Sequence, residues 1–203
     1  MRFRWLSLVF GSVLVLAAIF ASWEWREWHL DHSQDVPIRA AARRYGLEPA
    51  LVKAVAWQES RFDPHARGRA GEIGLMQLME NTAQEWADAE KLEGFTHEHC
   101  LNPVTNTLAG AYYLSKVLKR YRNTDNPLPY GLADYNAGRA NVLKWNHGEA
   151  STNSTAFIEA IGFPGTRKYV LSVMRRYEHY RPIFLREKAQ SKSWRTFPRI
   201  GTS

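Results

Sequence analysis

Between Arg4 and Glu24 the chain carries no charge, and the stretch WLSLVFGSVLVLAAIFASW is apolar with only isolated Ser and Gly. A run of this length is close to the roughly 20 residues that cross a bilayer as a helix, and it lacks the polar stripe of a surface helix. It predicts a membrane-targeting segment over residues 1–23. A signal-peptide cut after Ala21 would place Ile19 three positions before the scissile bond, where a small residue is needed, and no Cys comes next for lipid attachment. An uncleaved anchor also suits Trp23, Trp25 and Trp28 as an interfacial aromatic belt, while Arg2 and Arg4 hold the short end in the cytoplasm. The expectation is a single-pass anchor with the rest of the chain on the outer face; a cleaved, soluble form is the alternative.

The rest of the chain suits one domain, since the whole has 203 residues. Hydrophobic residues at 45% and charged residues at 23% allow a buried core and exclude wholesale disorder. Cys100 is the single cysteine, so neither an internal disulfide nor a multi-Cys zinc site can form, and HEHC (His97, His99, Cys100) lacks metal-ligand spacing. No metal is expected. Of the net charge of +7, Arg2 and Arg4 supply two and residues 186–203 supply four. The basic balance therefore belongs to the ends, and nucleic acid is not an expected partner.

Residues 24–35 are polar and aromatic without clear periodicity and read as a linker. From residue 36 the signals are helical. PIRAAARRY begins with a Pro and stops at Gly46, and PALVKAVAWQES begins at Pro49. A Gly-rich loop comes next, then a helix capped by Asn81 with Gln84 three residues on. The longest helix is expected after Asn102-Pro103, with shorter pieces at 130–137, 139–146 and 155–161 and another long one at about 166–181. Alternating strand patterns are missing. The class is mainly α, with the folded domain over 36–185 and a basic tail over 186–203 that does not fold.

Within the helix from Pro49, Leu51, Val55 and Glu59 recur at i, i+4 and i+8, so a glutamate sits on the core-facing stripe in the last turn. Desolvation disfavours its charged form, and the negative end of the helix dipole acts in the same sense. A carboxyl that keeps its proton near neutral pH is what a general acid needs. A glutamate that merely ends a helix at a wet edge has the same spacing. Trp57, two residues earlier, is expected in the core, and Asp134 in a structural role.

Residues 49–83, PALVKAVAWQESRFDPHARGRAGEIGLMQLMENTA, together with NPVTNTLAGAYYL, LADYNAGRANVLKW and FIEAIGFPGTRKYV in that order after them, resemble the lytic transglycosylases of the soluble, goose-lysozyme-related type. The resemblance covers about residues 36–181. It implies a lysozyme-like helical fold and cleavage of the β-1,4 bond between N-acetylmuramic acid and N-acetylglucosamine in peptidoglycan, with no metal or organic cofactor. It makes Glu59 the single catalytic acid/base and Ser60 the neighbour that helps hold it. Met76 and Gln77 of GLMQ, Tyr113, Asn136 and Tyr169 become residues of the glycan site, and Tyr135 of YNAG the tyrosine whose hydroxyl reaches the catalytic carboxyl. Amides and hydroxyls can read acetamido and sugar hydroxyl groups, and aromatic rings offer flat faces to pyranoses.

Four positions depart from the resembled pattern. Gly68 stands where Ser is common, Glu72 where a small residue is common, Glu80 where Pro is common, and Gly165 where a Glu precedes TRxYV. The anchor reading places the chain at the inner membrane with its domain facing the periplasm, and the expected partners are peptidoglycan strands and cell-envelope machinery. Two alternatives stay open on sequence: a lysozyme-like hydrolase that uses Glu72 as a second carboxylate, and a weakly active glycan-binding factor of a secretion or conjugation apparatus.

Overall fold

The structure, a computed structural model, describes the backbone of residues 2–195 and the side chains of residues 14–26 and 28–187. The chain divides into two compact units, Met1–Asp35 and Val36–Ser203.

In the first unit, α1 is a helix over Arg2–His32. It runs on through residues 24–32, the expected linker, because Trp25 stacks on His29 (5.4 Å between ring centroids) and Trp28 on His32 (4.6 Å), both at i, i+4. Such pairs support a helix even where no apolar period marks one. Among the described residues no helix is long and apolar enough to cross a membrane. The expected membrane span falls partly on residues 1–13, whose side chains lie outside the described residues. In the part that is described, Leu14, Val15, Leu16, Ile19 and Phe20 are all exposed.

The remaining helices are α2 (Asp35–Tyr45), α3 (Pro49–Ser60), α4 (Glu80–Ala89), α5 (Pro103–Arg120), α6 (Pro127–Ala137), α7 (Arg139–Trp145), α8 (Ser154–Ala160) and α9 (Pro164–Arg195). Among the described residues the β-structure amounts to isolated bridges that tie Ile73 to Arg67 and to Leu78. Asparagines start three of the helices: Asn102 accepts from Val104 N–H at 2.9 Å, Asn126 from Leu128 N–H at 3.1 Å, and Asn153 from Thr155 N–H at 3.0 Å. Asn81 does not cap α4. The Ile73–Leu78 bridge holds the chain extended up to Leu78, so the helix begins at Glu80 with Met79 at its cap.

α9, not α5, is the longest helix of this unit, and it overruns both expected ends. Pro182 removes a backbone donor inside it, a change that normally stops a helix. Here Tyr180 and Phe184 flank the proline and are buried, so packing carries the helix past it. The helix reaches Arg195, into the segment expected not to fold, and residues 196–203 lie outside the described residues.

α3 is the centre of the packing. Seven consecutive residues, Ala50 to Ala56, are buried, so the helix has no solvent face, the mark of a helix enclosed on all sides. Even Lys53 is enclosed, its ammonium 4.8 Å from the Tyr180 ring centroid and 5.7 Å from that of Phe62. α9 lies along α3, α6 packs on α5 and on α9, and the C-terminal end of α3 emerges among them.

Candidate active site

Glu59 occupies that emerging end. Leu51 and Val55 are buried as the stripe predicts, and Glu59 is partly exposed where the stripe leaves the core. The helix is stopped abruptly: Arg61 and Phe62 both take left-handed backbone angles (φ 56° and 66°), although neither is glycine. Strain of this kind costs about 1–3 kcal/mol per residue and persists only where packing imposes it. Phe62 is indeed buried, against Lys53. The sharp reversal leaves Glu59 at the tip and sends the next loop back across it. Trp57, expected in the core, packs against it but is only half-buried, with the guanidinium groups of Arg61 and Arg176 over its ring.

That loop, residues 66–78, is held by side-chain amides. Asn106 of α5 donates to the carbonyls of Ile73 (3.0 Å) and Cys100 (2.8 Å) and accepts from Met76 N–H (2.8 Å). Gln77, itself left-handed (φ 47°), donates to the carbonyls of Gly74 (2.9 Å) and Ala66 (3.2 Å). Ser60 donates to the Leu75 carbonyl at 2.9 Å and so ties the loop to the end of α3. Ser60 therefore positions the loop beside Glu59. Met76 is fully buried against Gly110, where a β-carbon would lie 2.4 Å from its sulfur. Its side chain is core and does not line an open site, contrary to the sequence expectation.

One tyrosine meets the carboxyl and another meets the loop. Tyr169 of α9 donates its hydroxyl to Glu59 Oε1 at 2.6 Å. The hydroxyl of Tyr135, expected to reach the carboxyl, donates instead to the Met76 carbonyl at 2.9 Å and locks the loop, while Tyr169, expected only among the residues of the glycan site, makes the contact to the carboxyl. Tyr113 packs on Tyr135 with ring centroids 5.4 Å apart. Asn136 is exposed and accepts from Thr166 at 2.9 Å, joining α6 to the start of α9. Ser172 and Gln58 make a parallel link between α9 and α3 at 2.5 Å. Neither Asn106, Thr166 nor Ser172 stood out in the sequence. Asn106 was legible in retrospect as a polar residue among the small and apolar ones of NPVTNTLAG.

Burial pushes the Glu59 carboxyl up to about 7, the Tyr169 hydrogen bond works against this, and the charge of Glu72 adds to it. Burial also holds the phenols of Tyr169 and Tyr135 well above their ordinary value, and the charge of Glu59 acts in the same direction. The arrangement is one proton-bearing carboxyl that can donate near neutral pH and accept a moment later. Because the Tyr169 hydroxyl favours the ionised acid, Tyr169→Phe is expected to move the Glu59 titration above 7, a change that carboxyl ¹³C NMR reads directly.

Asp134, His97 and His99 have structural partners. Asp134 is fully buried and accepts from Arg120 and from the Tyr121 hydroxyl, both at 2.8 Å. His97 pairs with the Leu78 carbonyl and His99 closes the turn at Thr96, while Cys100 is buried and its thiol pushed up to about 12.

The chain is similar to known proteins over much of this domain. The family described as transglycosylase SLT domain matches residues 36–158. The chain is 34% identical over 144 residues to the soluble lytic murein transglycosylase of Escherichia coli (strain K12), covering 70% of this chain and 22% of that protein. It is 33% identical over 132 residues to the membrane-bound lytic murein transglycosylase C of Yersinia pestis (strain Pestoides F), covering 60% and 36%. Among solved structures, the 70 kDa soluble lytic transglycosylase of Escherichia coli superposes with a TM-score of 0.63 at 30% identity, over 72% of this chain and 24% of that one. The chain thus spans between about a fifth and two fifths of the relatives it matches. The family match includes the helix that carries Glu59, and the chain belongs to the transglycosylase SLT domain family.

Proposed function

We propose that this protein is a peptidoglycan lytic transglycosylase, with Glu59 as its single acid/base. The observation that carries the reading is one partly exposed carboxyl, held by Tyr169 at 2.6 Å and raised by burial to about 7, at the end of the central helix of an SLT domain. In the first step Glu59 gives its proton to the glycosidic oxygen as the bond to the muramoyl anomeric carbon breaks and the N-acetylglucosamine side departs. The acetamido carbonyl of the muramoyl residue supports the positive charge. In the second step the Glu59 carboxylate takes the proton of the muramoyl C6 hydroxyl as that oxygen closes on the anomeric carbon. The 1,6-anhydro end forms and the acid is regenerated.

The surrounding residues supply recognition. Gln77 spends its NH2 group on the loop and leaves its carbonyl oxygen to the site, Asn136 keeps its NH2 group exposed, and the half-buried Tyr113 ring offers an apolar face. Met76 and Ser60 act from behind by shaping the loop. Release of soluble muropeptides from purified peptidoglycan by the full-length protein tests the reading. Binding without release would assign the chain to glycan-binding assembly instead.

We also propose that residues 1–23 anchor the protein in the inner membrane, with residues 36–185 as the lysozyme-like domain in the periplasm. The uncharged run and the exposed apolar residues from Leu14 to Phe20 support this, since a contiguous apolar surface calls for a non-aqueous partner. Full-length protein is expected to fractionate with the inner membrane, and protease added to spheroplasts to digest the domain. Deletion of residues 1–23 should release soluble protein. A mature N-terminus at Ser22 or Trp23 in cells would replace the anchor with a cleaved signal.

A further inference from the structure

One face of α9 and the turn from α8 enclose a cavity of about 610 Å³ that the proposed reaction does not use. Ser172 joins it to the catalytic site. That residue lines the cavity and donates its hydroxyl to Gln58, the neighbour of Glu59, at 2.5 Å. One turn earlier on α9, the Tyr169 hydroxyl meets Glu59 itself. Successive side chains on a helix fan out by about 100°, so Lys168, next to Tyr169, is carried round to the cavity.

Arg167, Lys168 and Arg175 line this cavity against the carboxylate of Glu159. Arg167 is committed to the wall: its guanidinium donates to the carbonyls of Glu159 and, at 3.2 Å, Ile161, and so fixes the turn between α8 and α9. Lys168 and Arg175 are exposed, and among the described residues neither has a hydrogen-bond or ion-pair partner. They lie two turns apart on one face of α9, about 10 Å along its axis, with the exposed Leu171 between them. Gly165 accounts for part of this surplus. The Glu of the family pattern at that position would stand at i, i+3 to Lys168, where a helix pairs opposite charges. Glycine removes that partner, although a β-carbon there would meet nothing within 4 Å.

Two unpaired cations beside a glycan site call for an anionic part of the substrate. The sugars of peptidoglycan are neutral, and its carboxylates sit on the peptide stem that hangs from the muramoyl lactyl group. Carboxylates two to three residues apart on an extended chain are separated by about 7–11 Å, which matches the spacing of Lys168 and Arg175. The path round α9 from Tyr169 to Lys168 is about 10 Å, on a helix about 10–12 Å across, and three extended stem residues cover it.

We infer that this cavity is a subsite for the peptide stem, in which Lys168 and Arg175 select stems with free carboxylates. The inference rests on peptidoglycan as the substrate of the Glu59 site, and adds to it a determinant of which strands are taken.

Binding to the full-length protein in detergent tests it by calorimetry. The probe is the disaccharide with N-acetylmuramic acid at its reducing end, which holds no bond for the enzyme to cut. It is compared with a tripeptide stem, with the same stem amidated at its carboxylates, and with no stem. An exposed ion pair is worth about two- to fivefold in affinity, so the free-acid form should bind about tenfold tighter than the other two. Lys168→Gln and Arg175→Gln should each remove about two- to fivefold of that preference. Gly165→Glu should do the same by restoring a partner for Lys168, at a first-turn position that suits a carboxylate. About 0.5 M salt should shrink the preference in wild type. Equal binding of the free-acid and amidated stems, or a preference that survives in Lys168→Gln/Arg175→Gln, overturns the inference. Equal binding with normal release of muropeptides from peptidoglycan would sink the subsite alone. The expected preference without any release would uphold the subsite and remove the enzymatic reading.

Discussion

Glu59→Gln is expected to fold, to bind glycan and to have lost bond cleavage. The amide keeps the shape of the carboxyl and can still accept from Tyr169, the hydrogen bond that fixes Oε1 at 2.6 Å. It cannot transfer a proton. Loss of a general acid costs about 10²–10⁴ in rate, and in the proposed reaction Glu59 serves both steps, so the upper part of that range is expected. A second measurement separates this from damage to the fold. Glu59 titrates at about 7 in the folded chain against an ordinary value of 4.5, so between these values the folded state binds more protons than the unfolded one. Wild-type stability therefore declines as pH rises through that window and stays lower above it. Glutamine has no charge to desolvate, so the variant should melt at a higher temperature than wild type at about pH 8, with the difference closing below about pH 4.5. An inactive variant that is more stable at alkaline pH identifies a strained functional carboxyl. Wild-type turnover by the folded variant would remove Glu59 from catalysis.

The parts of this site that were legible in sequence are those written locally. Pro49 and the Leu51–Val55–Glu59 spacing define α3 to the residue and place its glutamate at the end of the core. What escaped is what depends on partners far along the chain. Whether Tyr135 or Tyr169 meets Glu59 is decided by how α6 and α9 pack around α3, and no spacing records that. Met76 is core because Gly110, 34 positions later, leaves it room. Pro182 reads as a stop, yet burial of Tyr180 and Phe184 on either side overrides the lost hydrogen bond. Gly68 and Glu72 read as two separate departures from the family pattern, and the fold makes them one: a β-carbon at 68 would lie 2.1 Å from the Glu72 carboxylate oxygen that Ala70 N–H holds.

That pairing bears on which nucleophile ends the reaction, and the expected product is the 1,6-anhydro sugar. The muramoyl C6 hydroxyl is tethered in the same ring as the activated anomeric carbon. Well-oriented intramolecular attack reaches effective molarities of about 10⁵–10⁸ M, enough to outcompete water at roughly 55 M. A hydrolase would need a second carboxylate about 5–9.5 Å from the first, free to act as nucleophile or to orient water. Glu72 is the candidate, but Ala70 N–H occupies Oε2 and the side chain lies folded on Gly68, an arrangement that pins the carboxylate to its own loop. Glu59 then remains as the base for the second step, and the nearest proton for it to take is that of the C6 hydroxyl. Mass spectrometry of digested peptidoglycan distinguishes the outcomes, because an anhydro end is lighter than a reducing end by one water. Anhydro ends should dominate in wild type and persist, at lower yield, in Glu72→Ala. Reducing ends in wild type that give way to anhydro ends in Glu72→Ala would make Glu72 the general base and the protein a lysozyme-like hydrolase.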